Sequence, residues 1–225
     1  MPARLCPTAP NAADSILVGD PGRALMLAQE LLQQPKMSNH ARGLWGYTGV
    51  THAGHELTVQ STGMGGPSAT VVLHDLAELG VRRAVRIGTC TALRDQALGQ
   101  IVVVTEAQPS RGSFVGPETT KEPRDAVAPD QTLTAALAAR LGEEGRPGVV
   151  ASLDVLHRHH PEPAMNADAA DMQTAALFAA AARLGVEVAA LLIVSETRDG
   201  EAMNDEALET AAKRAGTVAA EVLSP

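Results

Sequence analysis

The chain has 225 residues, room for one domain with a sizeable core or two small ones, and 45% of them are hydrophobic while only 2% are aromatic. Its interior is therefore built of Ala, Val, Leu and Ile, which excludes disorder and collagen-like repeats, and the two cysteines, Cys6 and Cys90, exclude a disulfide scaffold and fit a reducing compartment. The net charge of −8 opposes a nucleic-acid partner unless the few arginines are concentrated in one place.

No run approaches the ~18 to 20 uncharged apolar residues of a membrane span, since the longest, 175–182, ends at Arg183. The start, Met1-Pro2-Ala3-Arg4-Leu5-Cys6-Pro7, lacks the apolar stretch of a signal peptide, so the expectation is a cytoplasmic protein with no membrane partner.

In chain order, residues 15–18 form a short apolar run followed by Gly19-Asp20-Pro21-Gly22-Arg23 and an amphipathic stretch to Leu32, which predicts strand, turn and helix. Residues 44–50 and 55–61 read as two strands of a hairpin across Thr51-His52-Ala53-Gly54. After the Gly-rich turn Gly63-Met64-Gly65-Gly66-Pro67-Ser68 comes a helical pattern through Val71, Val72, Leu76 and Leu79, with Pro67 near its start, where proline is tolerated. Residues 84–88, 101–105, 148–152 and 188–195 read as strands, the last three as runs buried on both faces of a sheet. Helical patterns over 130–141, 169–184 and 203–223 are interleaved with them, and 108–128 reads as a long surface loop. Alternating strands and helices, without an internal repeat or dividing linker, indicate a single α/β domain over 1–225, with 1–14 as an irregular arm.

Arginines stand beside glycines at turns: Gly22-Arg23, Arg42-Gly43 and Arg86-Ile87-Gly88-Thr89. Glycine lets an anion approach the backbone, and the guanidinium offers a planar fork to phosphate oxygens. Taken alone, Arg23 also reads as an exposed first-turn residue and Arg42 as a solvated loop charge. Arg86 lies inside the apolar run Val85-Arg86-Ile87, where a buried cation requires a bound anion or a structural carboxylate.

With these residues the chain resembles the nucleoside phosphorylases of the purine and uridine phosphorylase superfamily. The resemblance runs in the family's order from Ile16-Leu17-Val18-Gly19-Asp20-Pro21-Gly22-Arg23 through Arg42-Gly43-Leu44-Trp45-Gly46-Tyr47-Thr48-Gly49 and Gly63-Met64-Gly65-Gly66-Pro67-Ser68 to Val85-Arg86-Ile87-Gly88-Thr89-Cys90. It continues with Ser152-Leu153-Asp154, Asp171-Met172-Gln173 and Ile193-Val194-Ser195-Glu196, covering roughly 15–196. It implies an α/β domain around a mixed, partly barrel-like sheet, assembled as a homodimer or a hexamer of three dimers. It implies phosphorolysis, in which orthophosphate attacks the anomeric carbon of a nucleoside and releases the base, with phosphate as co-substrate and no cofactor or metal. Carried over by motif, Gly19, Arg23, Arg86 and Thr89 hold phosphate, Arg42 reaches a neighbouring subunit's site, and Met64, Asp171, Met172 and Gln173 face the ribose. Arg86 and Glu196 take the catalytic roles.

The departures gather at the nucleoside end. Gln173 replaces the carboxylate that accepts from sugar hydroxyls, and Asp171 is one methylene shorter than the family's Glu. Glu196 follows Ser195 where purine enzymes carry an Asp that assists base protonation; the other reading is a strand-end surface Glu. Thr91 replaces a glycine under the base, Leu156 a stacking Phe and His157 a Tyr. His159 and His160 read as base contacts or as solvated loop residues, and no spaced partner makes them a metal site. Asp75-Leu76-Ala77-Glu78-Leu79-Gly80 and Arg86-Ile87-Gly88-Thr89 are closer to uridine phosphorylases, Cys90 and Ser195 to purine ones. The leading expectation is nucleoside phosphorolysis of either base type. The alternatives are a non-catalytic or weakly active nucleoside- or phosphate-binding paralogue and a hydrolytic nucleosidase, the latter disfavoured by the complete phosphate set. A Rossmann oxidoreductase is disfavoured because no Gly-x-Gly-x-x-Gly follows the first strand.

Overall fold

The computed structural model describes residues 5–110, 126–155 and 166–224. Its short apolar runs become strands β1 (Asp14–Val18), β2 (Leu32–Asn39), β3 (Gly46–Thr51), β4 (Glu56–Ser61), β5 (Arg83–Ala92), β6 (Ile101–Pro109), β7 (Gly145–Ser152), β8 (Ala169–Asp171) and β9 (Glu187–Glu196). The helical patterns become α1 (Pro21–Leu31), α2 (Gly65–Glu78), α3 (Gln131–Leu141), α4 (Thr174–Leu184) and α5 (Asp205–Leu223). Side chains one residue before three of the helices set their starts: Asp20, Asp130 and Asn204 accept from the N–H of Arg23, Leu133 and Ala207. None of these helices is long and apolar enough to cross a membrane.

All nine strands form one mixed sheet, ordered β2-β3-β4-β1-β5-β8-β7-β6-β9, and β9 returns to pair with β5. Strands β5, β8, β7, β6 and β9 thus close a five-strand ring, and β1, β4, β3 and β2 extend it as a flap, the partly barrel-like α/β architecture expected from the motifs. Period-2 alternation divides the core into two layers. Ala84, Cys90 and Ala92 of β5 pack with α2 and α4, whereas Val85 and Ile87 pack with α1, α3 and α5. Arg86 therefore stands on the α2–α4 face. At the start of the sheet, buried Asp14 accepts both Arg83 Nε at 2.7 Å and Nη2 at 2.6 Å and lies 2.7 Å from His55 Nε2. Arg83 Nη2 also donates to the Leu223 carbonyl, which ties the end of α5 to the sheet.

Three element assignments differ from the sequence reading. Residues 169–171, expected as the start of a helix, form β8, because the buried Ala169 and Ala170 are sandwiched between β5 and β7. Ala favours helix only until tertiary pairing decides. Strand β2 gave no signal, having Gln33, Gln34, Pro35 and Lys36 at its centre; it lies at the sheet edge, where proline is tolerated, and breaks register between Gln33 and Lys36. Residues 108 and 109, expected in a loop, extend β6, and Val127 bridges back to Ala107; 111–125 lie outside the described residues.

Candidate active site

Strands β1, β4, β5 and β9 run parallel where they neighbour one another, so their carboxyl ends open on one side of the sheet. Strand β1 leaves β5 at the Val18–Ile87 pair, and β8 joins the same edge only at Thr91–Ala170. In this gap, beside Gly88 and Thr89, is a cavity of about 420 Å³. Gly19, Asp20, Pro21 and Arg23 line it from the β1–α1 turn, Gly63, Met64 and Gly65 from the β4–α2 turn, Arg86, Gly88 and Thr89 from β5, and Asp171, Met172 and Gln173 from the β8–α4 junction. Residues from four separate segments, each expected at a phosphate or sugar site, thus meet in one place.

Arg86 has 5% of its side chain exposed and Asp171 none. The guanidinium donates from Nη2 to Asp171 Oδ2 at 3.0 Å, from Nη1 to Gln173 Oε1 at 2.6 Å and from Nε to Thr174 Oγ1 at 3.2 Å. The structural carboxylate that a buried Arg86 requires is thus Asp171, and two of the five N–H groups of the fork have no partner among the described residues. Asp171 also accepts from Ser152 Oγ at 2.6 Å and from the N–H and hydroxyl of Thr174, which joins β7, β8 and the first turn of α4.

Arg23 differs. Its side chain is half-buried on the cavity wall, and among the described residues its guanidinium has neither a hydrogen bond nor an ion pair. Burial holds its pKa below the ordinary arginine value, Asp20 partly offsets this, and the charge of Arg86 adds to the lowering. A partly desolvated cation beside a second cation is an arrangement that an anion stabilises.

Glycines let the walls come close. A Cβ on Gly88 would lie 2.7 Å from Arg86 Nη2 and 2.7 Å from Leu192 Cδ2. Gly88→Ala is expected to destabilise the protein by about 1–3 kcal/mol through overpacking and to displace the Arg86 fork; thermal denaturation with and without phosphate checks both effects. Gly63 has φ +71°, and a Cβ there would meet the Ser68 hydroxyl at 2.7 Å.

The remaining expected residues stand apart from the cavity wall. Arg42 is exposed in a short 3-10 turn (Ala41–Gly43) at φ +59°. Thr91 pairs with Glu196 across a bulge, and Ser195 Oγ donates to the Cys90 carbonyl at 3.4 Å, which places all three at the open ends of β5 and β9. Leu156, His157, His159 and His160 lie outside the described residues. Residues not anticipated are Thr62, whose hydroxyl lies between the Val18 carbonyl at 3.0 Å and Gln173 Oε1 at 3.2 Å, and Thr174, which joins Arg86 to Asp171. A lone hydroxyl carries no sequence signal for a partner so distant in the chain. Among the described residues, His74, Asp75 and Glu78 on α2 have potential metal-ligand atoms within 4.8 Å of one another; Asp75 there accepts the Leu5 N–H.

A flap sheet feeding a closed five-strand ring, with an arginine-lined cavity at the strand ends, has the architecture of the nucleoside phosphorylase-like α/β proteins. The family model for the phosphorylase superfamily matches residues 15–224, and the chain belongs to that superfamily. It is 32% identical over 211 residues to a DeoD-type purine nucleoside phosphorylase of Caldanaerobacter subterraneus, covering 87% of this chain and 88% of the relative. It is 33% identical over 200 residues to one from Oceanobacillus iheyensis (82% of each chain), and 30% identical over 215 residues to one from Streptococcus suis (91% of this chain, 89% of the relative).

Proposed function

We propose that the protein is a pentosyltransferase that cleaves the N-glycosidic bond of a nucleoside with orthophosphate, giving free base and ribose or deoxyribose 1-phosphate. The observation that carries this reading is the half-buried guanidinium of Arg23, unpaired among the described residues, on the wall of a cavity that Arg86 also lines. Family membership supports it. In this reading Arg23 and the free N–H groups of Arg86 hold the phosphate, with Gly19 and the Thr89 hydroxyl beside them. Met64, 82% exposed, forms the sugar-side wall with Met172. As the glycosidic bond breaks, the sugar becomes cationic and negative charge moves to the base; the bound phosphate stabilises the first, and Glu196 at the end of β9 supplies a proton to the second. Arg42, exposed and away from its own cavity, completes the site of a second copy in a homo-oligomer.

Incubation with purine and pyrimidine nucleosides, with and without phosphate, tests the reading. Base release is expected only with phosphate. Release without phosphate identifies a hydrolase, and no release from any nucleoside identifies a binding paralogue.

A further inference from the structure

Resting on that reading, we propose that Gln173 is a positioning residue: its carboxamide clamps the Met64-bearing turn to Arg86 and so fixes the sugar wall relative to the phosphate end. The Gln173 side chain, at the residue preceding α4, is buried, and both amide N–H groups and the amide oxygen have partners in the protein. Oε1 accepts from Arg86 Nη1 at 2.6 Å and lies 3.2 Å from the Thr62 hydroxyl, which is also 3.0 Å from the Val18 carbonyl, while Nε2 donates to the Gly63 carbonyl at 2.6 Å and the Gly65 carbonyl at 3.3 Å. With both N–H groups and the oxygen engaged, the amide ties protein segments to one another.

No other side-chain type reproduces this pattern in the same space. A glutamate offers acceptors only and sets an oxygen against two carbonyls; methionine has nearly the same volume but takes from the Gly63 carbonyl its close donor and leaves one Arg86 N–H without an acceptor. The turn needs an external tie. Gly63 and Gly65 have φ of +71° and +80°, conformations with little intrinsic preference, and among the described residues the close hydrogen bond to the Gly63 carbonyl is that of Gln173, at 2.6 Å. Arg86 is immobilised by Asp171, so Gln173 transmits a fixed reference from β5 to the turn. Reaction between a bound phosphate and an anomeric carbon requires that distance to be held closely.

Gln173→Glu and Gln173→Met test the clamp by amide hydrogen exchange and by steady-state kinetics. In both variants the amides of residues 64–66 are expected to exchange at least about tenfold faster, with β1 and β5 unchanged. Gln173→Met is expected to lose about 10- to 100-fold in kcat while its phosphate KM stays within about threefold, because the phosphate cations remain. Wild-type protection of the turn in either variant overturns the proposal, as does a wild-type kcat in Gln173→Met. A general loss of protection that includes β1 and β5 assigns Gln173 to stability alone and also overturns it. The exchange readout requires no substrate, so failure of the clamp is distinguishable from failure of the phosphorolysis reading, which the nucleoside panel decides.

Discussion

Arg23→Ala is expected to lower phosphate-dependent cleavage by about 10²–10³ at sub-saturating phosphate, the usual cost of removing one preorganised donor from a developing or bound anion. The loss should fall mainly on the phosphate KM, because Arg86 is held by Asp171 and Gln173 and does not move to replace it. The fold should not suffer. Asp20 accepts the backbone N–H of Arg23, so the start of α1 keeps its cap whatever the side chain at position 23. The sign of the stability effect follows from the lowered pKa. Folding penalises the protonated guanidinium, and this penalty is present at every pH below the lowered value, hence throughout the physiological range. Removing the side chain relieves the penalty, so Tm in phosphate-free buffer is expected to be unchanged or higher. Arg23→Lys should be intermediate, since it retains the charge and loses the planar fork. Steady-state kinetics over a range of phosphate concentrations, together with thermal denaturation, checks both halves; a phosphate KM equal to wild type would remove Arg23 from the anion site.

Such a cation is stabilised by ligand and costly without it, a pattern of binding sites more than of cores. Position 23 alone does not disclose this. The turn Gly19-Asp20-Pro21-Gly22-Arg23 reads equally as a capped helix start with an exposed arginine. The structure turns the side chain onto a cavity wall, where among the described residues it has no hydrogen-bond partner. Arg86 is more legible, because an arginine at an inward position of a strand that otherwise alternates between two apolar layers must have a partner. The partner itself is not legible: Asp171 is 85 positions away, in a three-residue strand whose Ala-rich surroundings have helical periodicity. The fold class was readable from the alternation of strands and helices, since the short apolar runs of β1, β6 and β9 are distinct from the amphipathic patterns of α1 and α5. The ring closure was not, because the return pairing of β9 with β5 is a tertiary event without a local pattern. Gln173 shows the opposite limit. Its departure from the family carboxylate is plain in the sequence, but the consequence depends on two backbone carbonyls more than 100 positions away.

Asp171→Ala should produce the largest loss of stability. The carboxylate is fully buried and receives Arg86, Ser152, and both the backbone N–H and hydroxyl of Thr174. Truncation leaves a buried guanidinium without its counter-charge and strips two hydroxyls of their acceptor. Breaking a buried pair from one side costs about 3–5 kcal/mol, and at about 2–4 °C per kcal/mol for a domain of this size the expected fall in Tm is about 6–20 °C. Asp171→Asn should lose less, because one oxygen remains to accept from Ser152 or Thr174 while the charge is removed. The geometry adds a second, more discriminating outcome. Without Asp171 the Arg86 fork has only Gln173 and Thr174 as partners and faces the cavity, so an anion there supplies the missing charge. Millimolar phosphate should therefore raise the Tm of Asp171→Ala by more than that of wild type, through binding to the folded state alone. Thermal denaturation across a phosphate series, with sulfate as a second anion and a chloride series at matched ionic strength, measures this difference. A Tm within about 2 °C of wild type, less than the shift expected from 1 kcal/mol, would show that Arg86 does not depend on Asp171. An equal phosphate response in the two proteins would show that the fork does not reach the anion.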